Sequence, residues 1–372
     1  MDKNNDVSNT KEEELNEPFS ESLESLEYKK EKKIYNICII FLPILIAILI
    51  LSIIIYLILK EPEYKNKKTK GNENDKGNIN NDMINYTIIE KITINKNDSK
   101  AIFLFNSHCT KLNDSIISIK IDNKTIDVID NYYIFNFIGN YIVEITFNKK
   151  LNTMAEIFSY CSYIEELDLS NMDTSEVTSM KSAFAGCQSL KKVNLENFNT
   201  SLVRDMSYMF KDCESLTSLD LYNFDTSLVS DMSFMFQNNK KLEYLNISSF
   251  NTENVYKMEY MFNFCNISSL DVSHFNTHNV INIQYMFSEC GSLTSLNLSN
   301  FNTREVVDFS GLFKGSKNLG YIDISNFYTI KLNFCNQMFV GLPENGTIRI
   351  NMEKTWALIL NQIPDEWDII KG

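Results

Sequence analysis

Five cysteines stand at one position of a repeating unit. Cys161, Cys187, Cys213, Cys265 and Cys290 each follow a phenylalanine by three residues, and Asn239 and Ser316 hold the same place in two other units. A zinc site needs paired Cys or His at short spacing, which this column lacks. If the units stack, neighbours such as Cys187–Cys213 or Cys265–Cys290 come within disulfide range. Replacement by Asn and Ser favours instead a ladder of small, weakly polar groups that satisfy a turn from the interior.

A second column carries carboxylates and amides: Asp168, Asn194, Asp220, Asn246, Asp271, Asn297 and Asp323, with Tyr222, Tyr244 and Tyr321 beside it. Two such Asp could be imagined as a glycosidase pair, but nothing else in the chain supports that chemistry. His108, His274 and His278 do not combine with a Ser or Cys into a triad, and no Gly-rich phosphate loop or nucleophile elbow occurs. The sequence therefore gives no reason to expect an enzyme, a cofactor or a metal. The ten residues of this polar face form the candidate binding site. Its expected ligand is an extracellular protein or glycan, since tyrosine offers contact area at small ordering cost. The plainer reading is that a sheet facing water needs polar residues there. Asn246 and Asn297 also lie in N-x-[ST] sequons, and sugars there would obstruct the face.

The elements that position these columns follow from periodicity. Phe158, Phe184, Phe210, Phe236, Phe262, Phe287, Phe313 and Phe339 recur at 26 residues, with one interval of 25. Self-similarity at this period marks a solenoid. Within Leu216-x-x-Leu219-Asp220-Leu221, alternation turns Leu219 and Leu221 inward and Asp220 outward on a short strand. The N-F-D-T segment that follows suits a turn and a helix N-cap. Val229, Met232, Met235 and Phe236 then sit at +3, +3 and +1, which predicts one or two helical turns on the opposite wall. Strand, turn, short helix and turn make one coil.

The units S-L-T-S-L-D-L-x-N-F-D-T-S-x-V-x-x-M-S-x-M-F-x-x-C, clearest over residues 199–236 and 293–313, resemble the BspA-like leucine-rich-repeat surface proteins. The resemblance covers residues 147–350. It implies an α/β leucine-rich-repeat solenoid of about eight coils, displayed on the cell surface, with protein binding or adhesion as its role and no shared catalytic residues.

Six segments follow in order. Residues 1–33 read as a disordered cytoplasmic tail. Ile34–Leu59 holds no charged residue and is long enough for a transmembrane helix, making a single-pass anchor. Residues 60–83 are a charged flexible linker, and 84–150 are a small antiparallel β-rich capping domain with a Gly139-Asn140 hairpin turn. Residues 151–343 are the solenoid, and 344–372 a C-terminal cap holding both Trp residues. Lys count slightly favours a cytoplasmic C-terminal side. The family resemblance favours an external one, and that orientation at the plasma membrane is the expectation. The net charge of −13 argues against nucleic acid as a partner. Two other readings remain: a surface-coat or spacer element without a defined ligand, and a cytosol-facing scaffold.

Overall fold

The computed structural model describes residues 86–94, 102–106, 116–126, 132–353 and 357–372. The N-terminal strands are β1 (Tyr86–Ile94), β2 (Ile102–Phe103), β3 (Ile116–Ile121), β4 (Lys124–Ile126), β5 (Tyr132–Tyr133) and β6 (Gly139–Phe147). β1 pairs antiparallel with β6 over its whole length, from Tyr86 opposite Phe147 to Ile94 opposite Gly139. The other edge of β1 pairs antiparallel with β7 (Ile164–Asp168), the strand of the first coil. The sheet therefore runs β4-β3-β6-β1-β7-β8 without interruption, β8 being Lys192–Asn194. An antiparallel sheet closes the end of the solenoid and leaves no open edge on β7.

Later coils add parallel strands: β9 (Ser218–Asp220), β10 (Tyr244–Asn246), β11 (Ser295–Asn297), β12 (Tyr321–Asp323) and β13 (Gly346–Ile350). After a four-residue helix, α1 (Ala357–Leu360), the last strand β14 (Trp367–Lys371) pairs parallel with β13. Residues 269–271, where a strand is due between β10 and β11, form none. That coil is the 25-residue one, and the deleted residue comes from the loop Cys265–Ser269 that feeds the strand. A second break, between β8 and β9, has no such explanation in the sequence.

The opposite wall corrects the sequence reading. It is not helical, and the fold is a β-solenoid rather than an α/β leucine-rich repeat. In the coil at Met206–Cys213, the N–H groups of Met206, Tyr208, Phe210 and Asp212 donate to the carbonyls of Asp231, Ser233, Met235 and Gln237 in the next coil, at 2.8–3.0 Å. The N–H groups of Met209 and Lys211 turn back to the carbonyls of Met206 and Tyr208. Tyr208 and Asp212 have φ of +61° and +58°, which a helix does not allow. Each coil thus places a row of tight turns here, and alternate N–H groups point along the solenoid axis. An α-helix would have sent them all to the carbonyl four residues back. Single parallel bridges continue the wall from Ser179 through Asp205, Asp231, Lys257, Asn282 and Asp308 to Phe334. The threonine read as part of a helix cap is buried instead. Thr226 Oγ1 donates to the Asn251 carbonyl and accepts from the Asn251 N–H, both at 2.8 Å.

The transmembrane helix expected at 34–59 lies outside the described residues, and no helix among those described is long and apolar enough to cross a membrane.

Inside, side chains stack on their own kind. The eight phenylalanines of the recurring column form seven successive ring contacts, with centroids 5.0–6.3 Å apart. All eight rings are buried. Truncating one to Ala would cost ~3–5 kcal/mol by the usual measure of large core deletions.

Glu90 is the exception in this interior. On β1 it faces inward, opposite Val143 on β6 and Leu167 on β7, and is fully buried. Neither carboxylate oxygen has a hydrogen-bond partner among the described residues. Burial pushes its pKa well above the usual carboxylate range, so the folded chain keeps it protonated. The native state then holds a proton that the unfolded state releases above its ordinary pKa of 4.5. Stability therefore falls as pH rises from that value towards the raised native pKa. Glu90→Met, of similar length and without charge, should raise the melting temperature at pH 8 and flatten the fall between pH 5 and 8 in a pH series of thermal unfolding.

Candidate functional site

The structure places the candidate residues along one wall, but it gives most of them a structural task. In each coil the ladder Asp or Asn closes a turn at the strand end. Its Oδ1 accepts the N–H two residues on, from Asp168 to Ser170 (3.0 Å), Asn194 to Glu196 (3.2 Å), Asp220 to Tyr222 (3.2 Å) and Asn246 to Ser248 (3.2 Å). Asp271, Asn297 and Asp323 do the same with Ser273, Ser299 and Ser325, at 2.9–3.0 Å. Side-chain amides and carboxylates commonly build such turns. The same corner recurs twice more in the coil of Asp220, as Asp225 to Ser227 and Asp231 to Ser233. Burial works to raise the Asp168 pKa, yet hydrogen bonds from Ser170 and Asn194 outweigh it and hold the carboxyl below its usual range. The hydroxyl and N–H of Ser273 lower Asp271 likewise.

The tyrosines are not grouped as one site. Tyr222 and Tyr244 are exposed at 57% and 55%, on neighbouring coils. Tyr321 lies three coils beyond Tyr244 and is half-buried. Asp323 is buried, with Arg349 Nη1 3.9 Å from it. The face therefore has an open half around Tyr222 and Tyr244, while its far end is partly closed.

Geometry gives the cysteine column a structural task. All five thiols of the column are buried, and none of them forms a disulfide with another of the described residues. The Cys187 and Cys213 thiols each donate to the phenylalanine carbonyl of the preceding coil, at 3.1 and 3.2 Å. Asn239 Nδ2 and Ser316 Oγ make the same bond, to Phe210 and Phe287. Any small donor serves, which is why three residue types share the column. Burial raises the Cys290 thiol to about 12, so it stays a thiol at neutral pH. His274 Nε2 bonds the Ile247 carbonyl of the preceding coil, and His278 Nδ1 lies 2.8 Å from Asn276 Oδ1 within its own turn. His108 lies outside the described residues. No group of three or more His, Cys, Asp or Glu among those described is placed to hold a metal ion.

The sequence reading missed a contribution from the N-terminal sheet. Ile89, Lys91 and Ile142 join Glu166, Asp168, Lys192 and Asn194 around a depression of about 350 Å³. Lys91 Nζ reaches Glu166 Oε1 at 2.9 Å across the β1–β7 junction. The signal was the exposed Ile89 and Ile142 on outward positions of β1 and β6, visible only once their register is known.

The profile of the family described as "Mycoplasma protein of unknown function, DUF285" matches residues 152–268 and 262–348, more than half of the 372. No curated protein and no solved structure matches the chain.

Along the ladder, Asp and Asn alternate without exception from Asp168 to Asp323. Either residue closes the turn equally well, so the turn does not require this order. Electrostatics favours it, and where two Asp do stand side by side, Asp205 and Asp231 on the wall of turns, Lys257 follows in the next coil. Adjacent strands lie ~4.8 Å apart, where like charges side by side destabilise a sheet by ~0.2–1 kcal/mol. An intervening Asn doubles the distance to ~9.6 Å, beyond the ~8 Å screening length at physiological salt. It also adds a bond, since Asn194 Nδ2 donates to Asp168 Oδ1 at 3.0 Å. Asn246→Asp, which sets three carboxylates in a row, should lower urea stability by ~1 kcal/mol at low salt. The loss should largely disappear in ~1 M NaCl, where screening reaches ~3 Å.

Proposed function

Since the chain belongs to the family described as Mycoplasma protein of unknown function, DUF285, we propose that it is a surface-displayed β-solenoid that binds another protein through its strand face. The observation that carries this reading is the pair Tyr222 and Tyr244. They stand more than half exposed on adjacent coils, and neither ring has a stacking partner among the described residues. Aromatic side chains of this kind anchor protein interfaces. The face around them is an open wall rather than a pocket, and open walls suit macromolecular partners that cover ~800 Å² per side. The depression at the β1–β7 junction extends the same wall and supplies an exposed apolar pair, Ile89 and Ile142, beside it.

The resemblance of the repeats to BspA-like surface proteins supports display outside the cell. The uncharged stretch 34–59 supports attachment to a membrane. Cells that carry the chain should lose the solenoid to added protease, and a solenoid that survives on intact cells would sink the display. Binding to immobilised matrix and host proteins should fall at least tenfold in the Tyr222→Ala/Tyr244→Ala double variant, about 1.4 kcal/mol or more. Thermal unfolding should stay unchanged. Binding that persists in the double variant removes the strand face from the mechanism, and no binding by the unaltered chain leaves the spacer role.

A further inference from the structure

The wall of turns carries its own column of outward side chains, at the positions of positive φ. Tyr208, Phe234, Tyr260 and Tyr285 stack there ring on ring, with centroids 4.6, 4.7 and 4.8 Å apart and planes within 13° of parallel. Four aromatic residues at φ of +54° to +61° cost backbone strain, and the continuous stack offsets it. The stack is closed at one end. In the next coil the column holds Gly311, and a Cβ there would sit 2.2 Å from Tyr285 Cε1. The ring therefore lies directly over the Gly311 backbone.

The other end is open. The column position in the preceding coil is Ser182, too small to cover Tyr208. Ser182 and Tyr208 instead line a cleft of about 580 Å³, within the range of small-ligand sites. Tyr160, 76% exposed, stands on a second side of it. Around the rim lie Glu156, Lys181, Lys211 and Asp212, with Lys211 Nζ 5.6 Å from the Tyr208 ring centre. One ring position is thus vacant in a stack whose spacing is already set, and ammonium and carboxylate groups line the cleft beside it.

We propose that this cleft binds the pyranose ring of a saccharide, stacked on the free face of Tyr208. A pyranose presents flat C–H faces and an edge of hydroxyls. Its face satisfies the aromatic ring, and its edge gives the charged rim the donors and acceptors it would otherwise lose on desolvation. An aromatic side chain would fill the same slot but leave those groups unpaired, at a cost for each. The site lies on the wall of turns and uses no strand-face residue, so it stands whether or not the strand face binds protein.

The test uses the full-length chain and a panel of methyl pyranosides: glucoside, galactoside, mannoside and N-acetylglucosaminide. Saturation-transfer NMR should show magnetisation reaching the ring-face protons of at least one of them. Tyr208→Ala should weaken that sugar about tenfold. Ser182→Phe, which completes the stack with a protein ring, should abolish binding while the melting temperature holds or rises. The same column already accepts Phe234 at φ +59°. Should Ser182→Phe fail to fold, Tyr208→Leu supplies the same comparison. Tyr244→Ala, on the strand wall, should leave the sugar signal unchanged. No transfer to any pyranoside overturns the proposal, as does binding that survives both Ser182→Phe and Tyr208→Ala. Capture of p-cresol with no pyranoside bound also overturns it, in favour of an aromatic side chain.

Discussion

The hydrogen bonds that run from each coil to the next along the wall of turns are what the rest of the molecule depends on. Alternate N–H groups of Met206–Asp212 leave their own coil for the following one, and the remainder close local turns. Every buried backbone group in that segment therefore has a partner, as an interior requires. The arrangement fixes the coil spacing and brings equivalent side chains of successive coils into register. Once like stacks on like, residue choice at each column becomes a question of what can stack. Rings can, as the buried phenylalanines show. Hydroxyls and thiols can, because each donates to a backbone carbonyl of a neighbouring coil. Charges cannot.

The treatment of charge follows from that constraint. The outward ladder alternates Asp with Asn, and ion pairs recur at the coil spacing: Lys191 with Glu165, Lys240 with Glu214 and Lys257 with Asp231 at 3.0–3.1 Å, and Lys331 with Glu305. Exposed pairs of this kind add at most ~1 kcal/mol each. Their larger effect is to offset like charges in an acidic chain of net charge −13, as Lys257 does where Asp231 follows Asp205. Buried in the interior without a cation beside it, Glu90 gives up its charge instead.

Much of this was legible in the sequence, and the part that was not has a definite cause. The period, the inward Leu219 and Leu221 and the buried phenylalanine column could all be read, because a stacked interior must repeat its apolar positions. The interior role of the cysteine column was readable from the Asn and Ser that replace it. The helices were misread. Val229, Met232, Met235 and Phe236 are buried at +3, +3 and +1 whether the chain winds as a helix or as tight turns, so spacing alone does not separate the two. The discriminating sign was Gly186, Asp212, Asn238, Gly315 and Gly341, one column rich in the residues that accept positive φ. Its neighbour, with Tyr208, Phe234 and Tyr260 at equally positive φ, hid that sign, because bulky residues rarely adopt it. Stacking from coil to coil overrode local preference there. The turn-closing role of the Asp and Asn ladder was hidden for a similar reason. An outward carboxylate looks the same in sequence whether it faces a ligand or bonds an N–H two residues ahead.

A regular solenoid offers the same surface at every coil, so regular positions cannot by themselves define a single site. Distinct places arise where a column is interrupted. The antiparallel sheet interrupts the strand wall at β1 and sets Ile89 and Lys91 beside Asp168. The shortened loop at Cys265–Ser269 interrupts it again and removes one strand between Tyr244 and Ser295. Ser182 interrupts the aromatic column and leaves Tyr208 with an uncovered face. Each interruption sacrifices a repeating contact that the fold could have kept by repeating the residue before it. The repeat supplies the frame, and recognition belongs to its exceptions.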